Sequence, residues 1–198
     1  MRKETKEKIN NIIEKFKTTK LERIDTSTDF IKLESYKVTI NNGDVFYRDK
    51  IVKYNGYGSS ASVLPVLKNG NFLLIGEPRV FTETTVELCI PGGYMEMDEN
   101  PKEGAARELK EETGLVSDNI VEVSSFYTDL GNSDHINYVF IALDSEYHED
   151  IKLDDDEYVE PIELTYDELE ELINNGTIKN SSTIIAFLKY KEIKKTIK

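Results

Sequence analysis

The chain is poor in cysteine, in basic residues and in long apolar runs. Cys89 is the only cysteine among 198 residues. No intramolecular disulfide can form, so a reducing cytoplasm is the expected compartment. Lys and Arg number 25 against 38 Asp and Glu, a formal net charge of −13. No basic face is left to neutralise a run of phosphates, which excludes free nucleic acid as a partner. No segment approaches the roughly 20 apolar residues that span a bilayer. The opening MRKETKEKINNIIEKFK has no apolar signal core. No membrane partner is therefore expected. An acidic protein can still handle a phosphorylated small molecule if metal ions bring positive charge to it locally. The length suits one domain with appendages, and no internal repeat or low-complexity tract interrupts it.

What is present alternates between strand and helix signals. Ile9, Ile12, Ile13 and Phe16 have helical spacing and predict an amphipathic helix over 3–18 that covers a core edge or a dimer partner. ESYKVTI and VFYRDKIVKY flank NNGD as a hairpin, and SSASVLPVL and FLLIGEP flank KNGN as another. TVELCI, NIVEVSSFYT and HINYVFIAL read as further strands, and EDIKLDDDEYVE as an acidic loop. Thr165 and Glu168 form a capping box for YDELEELINN, which Gly176 ends, and a last helix runs from about Ser182 to Lys194. This order predicts an α+β fold, a mixed-sheet sandwich. Residues 1–55 are expected to be a separate N-terminal piece and 56–198 the main domain.

The stretch GGYMEMDENPKEGAARELKEETGL, residues 92–115, breaks a local rule. Asn100 as N-cap, Pro101 at the first position, Glu103 as capping acid and Gly114 as stop predict a helix from Pro101 to Thr113. Glu108, Glu111 and Glu112 lie three and four apart, so they point to nearly one side. Like charges so spaced cost roughly 0.2–0.5 kcal/mol per pair. Glu111 and Glu112 also oppose the helix dipole, by about 0.3–1 kcal/mol. A hard divalent cation, which takes carboxylate oxygens, would repair the arrangement. A solvated acidic face is the plain alternative.

Gly93, Glu99, Arg107-Glu108-Leu109, Glu111-Glu112 and Gly114-Leu115, at these spacings, resemble the signature of the Nudix hydrolases. The resemblance implies a Nudix-type α/β/α sandwich: a loop–helix–loop packed on a mixed β-sheet flanked by helices. It implies hydrolysis of a nucleoside diphosphate linked to another group, with Mg²⁺ or Mn²⁺. It makes Glu108 and Glu112 metal ligands, the Gly92 carbonyl a further ligand, and Glu111 a holder of metal or water. Gly93 would give the tight turn that brings the carbonyl to the helix. Glu99 and Arg107 are expected to be a structural ion pair.

Residues from about Ser60 to Lys191 also resemble the ADP-ribose and ADP-sugar pyrophosphatase branch. Arg79 falls where an arginine touches substrate in that branch. LDDDE, residues 153–157, falls on a loop that brings in a late acid, with Glu157 the best match for a base or extra ligand and Asp155 second. Leu130 stands where the branch usually has proline, His135 where glutamate is common, and Cys89 where many members have an acid. Glu87, two residues from that place, would lie about 7 Å off along a strand and does not substitute. Cys89 is expected as a small buried residue and His135 as a polar residue near the pocket mouth.

The expected function is metal-dependent hydrolysis of an ADP-ribose-like nucleoside diphosphate sugar. A modified nucleoside triphosphate or dinucleotide as substrate is the second reading, and a non-catalytic nucleotide-sugar sensor the third. A homodimer is expected, because the N-terminal helix and strands need somewhere to bury their apolar faces.

Overall fold

Tight turns join two of the strand pairs. The computed structural model describes residues 1–22, 30–53, 58–153 and 157–196. A helix α1 (Lys3–Phe16) precedes a two-stranded antiparallel hairpin, β1 (Ile31–Thr39) and β2 (Val45–Lys53). Gly43 makes its turn at φ +90°, a conformation that favours glycine. The KNGN turn does the same through Gly70 at φ +83° and joins β3 (Ser60–Leu67) to β4 (Phe72–Pro78). There follow β5 (Val86–Cys89), β6 (Gly92–Tyr94), α2 (Pro101–Thr113), β7 (Leu115–Val116), β8 (Asn119–Tyr127), β9 (Ile136–Tyr147), β10 (Glu160–Leu164), α3 (Tyr166–Asn174) and α4 (Ser181–Thr196).

The large sheet is mixed. Its strands run β10-β4-β3-β9-β7, with β5 on β4, β6 on β3 and β8 on β9. The β3–β9 pair is parallel and the others are antiparallel. Alternation along β3 divides two cores: Ala61 and Val63 pack toward α2 with Leu109, and Leu64 and Val66 pack with α1, α3 and α4. This is the expected sandwich. Among the described residues no helix is long and apolar enough to cross a membrane.

The helix expected over 3–18 buries Ile9 and Ile12 in the second of these cores. Gly76 makes room for it, since a Cβ there would stand 2.2 Å from Ile12 Cγ2. The acidic loop is shorter than its composition predicts. Glu160 already opens β10, because Glu160 to Leu164 pairs with Gly76 to Phe72 of β4. Tyr54, Gly56 and Tyr57, at the expected boundary, and Asp155 lie outside the described residues.

Candidate active site

Helix α2 forms as its caps predict. The Asn100 side chain accepts from the Lys102 and Glu103 N–H groups, and Glu103 accepts from the Asn100 N–H. Gly114 closes the helix at φ +71°, and its N–H donates to Lys110 O. Glu108 and Glu112 share the buried side of α2 with Ala105 and Leu109. Glu111 does not join them, because it is half-exposed and held by Arg107.

Arg107 organises this end of the site. Its guanidinium donates to Glu99 at 3.0 and 3.1 Å, to Glu108 at 2.8 Å, to Glu111 at 2.9 Å and to Tyr94 O at 3.0 Å. The expected Glu99–Arg107 pair is present, and it also reaches two of the signature acids. Glu112 accepts the Gly92 N–H at 2.7 Å, which ties the start of β6 to the last turn of α2. A Cβ on Gly92 would meet Ala61 O at 2.5 Å, and one on Gly93 would meet Glu108 Oε1 at 2.4 Å. Both glycines are there for close approach.

A cleft of about 460 Å³ opens above these residues. Arg79, Gly92, Glu108, Glu111, Glu112 and Glu157 all border it, so the structure brings every expected site residue to one place. Glu157 stands three residues ahead of Glu160, which pairs with Gly76 of β4, and the segment after β9 is tied to the end of α2. The Lys152 N–H donates to Glu111 O at 2.9 Å, and Lys110 pairs with Glu149 at 2.8 Å. Glu96 is exposed on the cleft's border.

Glu77 was not anticipated. It is buried beneath the cleft, pairs with Arg79 and accepts the Cys89 S–H at 2.7 Å. It sits diagonally across the β4–β5 ladder from Cys89, while Glu87 lies directly opposite it. An acid thus stands beside Cys89 from the neighbouring strand. The available signal was alternation: positions 77 and 79 share a strand face, so a candidate arginine at 79 carries a glutamate beside it. Cys89 is buried as expected, and burial followed by the Glu77 charge pushes its thiol well up, which argues against a nucleophile. His135 is not at a mouth. It is buried, with Nε2 2.9 Å from Ser60 Oγ.

Electrostatics single out the α2 glutamates. Burial pushes Glu108 up to about 7 against the pull of Arg107. Burial, then the Glu108 charge, push Glu112 well above the carboxylate range. Burial also raises Glu77, against Arg79. Among the described residues, six glutamates and two arginines border the cleft, so a bound cation would favour the entry of an anionic diphosphate. Hard carboxylate and carbonyl oxygens are the donors that Mg²⁺ and Mn²⁺ take, so the residues fit a divalent cation. Arg107 donates to Glu108 and the Gly92 N–H to Glu112, and among the described residues no three metal-binding side chains form a ready-made group.

The NUDIX domain profile matches residues 56–185. An ADP-ribose pyrophosphatase of Bacillus subtilis (strain 168) is 33% identical over 161 residues, 81% of this chain and 84% of that protein. A methanol dehydrogenase activator of Bacillus methanolicus is 32% identical over 183 residues, 92% of this chain and 95% of that protein. The crystal structure of an ADP compounds hydrolase has the same fold, with a TM-score of 0.74 at 20% identity over 87% of this chain and 90% of that one.

Proposed function

This chain belongs to the Nudix hydrolases, and from that premise we propose that it splits the diphosphate of an ADP-ribose-like nucleoside diphosphate sugar into a nucleoside monophosphate and a sugar phosphate. One observation carries the reading: the α2 glutamates, Gly92, Arg79 and Glu157 border a single cleft. The similarity to an ADP-ribose pyrophosphatase over most of both chains supports the substrate class.

In this reading Glu108, Glu112 and the Gly92 carbonyl would hold a divalent cation, Mg²⁺ or Mn²⁺. When bound, the cation supplies charge for the diphosphate oxygens and lowers the pKa of a coordinated water. Arg79, at the rim, takes a phosphate oxygen with its planar fork of donors. Glu111 holds the attacking water. Glu157 accepts that water's proton as its oxygen meets phosphorus in line with the leaving phosphate.

Within residues 1–55, α1 buries its apolar face on its own domain, so the β1–β2 hairpin is proposed as the element that makes a homodimer. Ile31, Leu33, Val45 and Tyr47 are exposed, and the register puts them on one face of the hairpin. Light scattering that shows only monomer at micromolar concentration would remove the dimer. A cytoplasmic location is proposed from the single, buried thiol.

The test of function is chromatographic identification of the products formed from a panel of nucleoside diphosphate sugars, dinucleotides and modified triphosphates, each with Mg²⁺, with Mn²⁺ and with chelator. Metal-dependent cleavage of ADP-ribose or a close relative into two monophosphates is expected. Release of pyrophosphate from triphosphates alone would keep the chemistry and discard the sugar.

A further inference from the structure

A second pocket, of about 200 Å³, adjoins the cleft and shares Glu77, Arg79, Gly92, Gly93 and Tyr94 with it. Its floor is polar. On β3 the face that carries Leu64 and Val66 in the core carries Ser62 and Ser60 farther back. On β9 the face that carries Ile141 and Val139 carries Asn137. The two strands pair in parallel with Ser60 opposite Asn137, so both turn from apolar to polar at the same end, beside the cleft. Burying hydroxyl and amide groups is unfavourable unless they are bonded, and a purely structural core would have stayed apolar.

These groups are buried and only partly committed. Ser62, His135, Asn137 and Ser182 are all more than nine-tenths buried. Asn137 Nδ2 donates to Ser182 Oγ at 2.6 Å, and Ser62 Oγ lies 3.2 Å from the Asn137 amide. A hydroxyl offers one donor and two acceptor sites, so Ser62 and Ser182 keep spare capacity. His135 Nδ1 has no hydrogen-bond partner among the described residues.

The lining selects the ligand by exclusion. Beyond the paired Glu77 and Arg79 its polar side chains are neutral: burial, then the charge of nearby Lys53, lower His135. A further phosphate would find no uncommitted cation here among the described residues. The Tyr94 and His135 rings meet edge to face at 75°, so these two do not form parallel walls that would sandwich a nucleobase. The volume equals about seven waters at roughly 30 Å³ each, enough for one sugar ring. Neutral groups that both give and accept hydrogen bonds suit the hydroxyls of a sugar.

We propose that this pocket is the subsite for the sugar half of the substrate, with Ser62, Asn137 and Ser182 bonding its hydroxyls and His135 forming a wall. The proposal rests on the nucleoside diphosphate sugar reading and adds where the sugar lies.

Product inhibition tests it. The full chain with Mg²⁺ would hydrolyse ADP-ribose, or the best nucleoside diphosphate sugar on the panel, in the presence of each of its own two products. Wild type, Ser182→Ala and Asn137→Ser would be compared. Losing a hydrogen bond should weaken inhibition by the sugar phosphate about two- to tenfold and leave that by the nucleoside monophosphate within about twofold. A shift confined to the monophosphate would put the nucleoside in this pocket and overturn the proposal. So would equal shifts, no shift, or no inhibition of wild type by the sugar phosphate. Ser182→Ala places a strong helix former in α4 and carries the test if Asn137→Ser fails to fold, as melting would show. No turnover of any nucleoside diphosphate sugar by wild type would sink the parent reading and the subsite with it. Turnover with unshifted sugar-phosphate inhibition would sink the subsite alone.

Discussion

Helices α2 and α3 begin alike and use buried glutamates in opposite ways. Each opens on a complete capping box, Asn100 with Glu103 in one and Thr165 with Glu168 in the other. In α3 the capping acid is itself buried. Burial opposes its charge, but hydrogen bonds from Arg2, the Thr165 N–H and Thr5 outweigh that and hold the Glu168 carboxyl well below the usual range. In α2 the buried acids lie beyond the cap, at Glu108 and Glu112, where burial wins and both carboxyls rise. Burial alone therefore does not tell the role of a glutamate. Compensation does: Glu168 joins the N-terminus to α3 and stabilises the fold, while Glu112 is held at a cost that a bound cation would offset.

The largest break in that contrast is Glu112→Gln. With saturating Mg²⁺, kcat should fall at least about 100-fold, the scale of losing a group that acts on the reacting centre. Its melting temperature should hold or rise, because the neutral amide replaces a carboxyl whose ionised form burial and Glu108 disfavour, and it leaves an oxygen for the Gly92 N–H. Steady-state rates beside thermal melts measure both, and full activity would show that the carboxylate is not a ligand.

Gly93→Ala sharpens the same contrast without touching a charge. The new Cβ would push the Glu108 carboxylate from its place while the backbone stays, since the atom it meets ends a flexible side chain. Misplacement by about 1 Å can cost on the order of 100-fold, so a loss of about 10- to 100-fold in kcat/KM is expected, with more Mg²⁺ needed for half-maximal rate. A metal titration of the rate checks this. An unchanged titration would mean that Glu108 need not sit against Gly93.

The contrast also marks how far the sequence could be read. Caps, periodicity and the glutamate cluster of α2 lie within a few turns of one helix, so both helices and both capping boxes were legible locally. Arg79, Gly92 and Glu157 come from three separate elements, and only resemblance to a family joined them to the cluster. Glu160 was assigned to a loop because its strand exists through pairing with β4, a partner far away in the chain. The three residues of β6 and the two of β7 are too short for any periodicity. Glu77 and the polar ends of β3 and β9 were missed for a related reason. Alternation gives the face of each strand, and only the parallel register of Ser60 on Asn137 shows that the polar ends meet. Glu168 was legible as a cap, whereas its pairing with Arg2 depends on where α1 packs.

The smallest expected effect on activity comes from the α3 side. Glu168→Gln should leave kcat within about twofold, since the residue does not border the cleft, and should lower stability at neutral pH. Loss of a capping interaction suggests about 1 kcal/mol. The pH dependence has a definite sign. The Glu168 carboxyl is depressed in the fold and returns to about 4.3 in the unfolded chain. Its contribution is therefore complete above that pH and is lost as the pH falls toward the lower folded value, where both states are protonated. Wild type and Glu168→Gln should melt well apart at pH 7 and converge as the pH drops from about 4.3 toward 2. A gap that stays constant through that range would mean that the Glu168 charge does not stabilise α3, and the opposition between the two helices would reduce to packing.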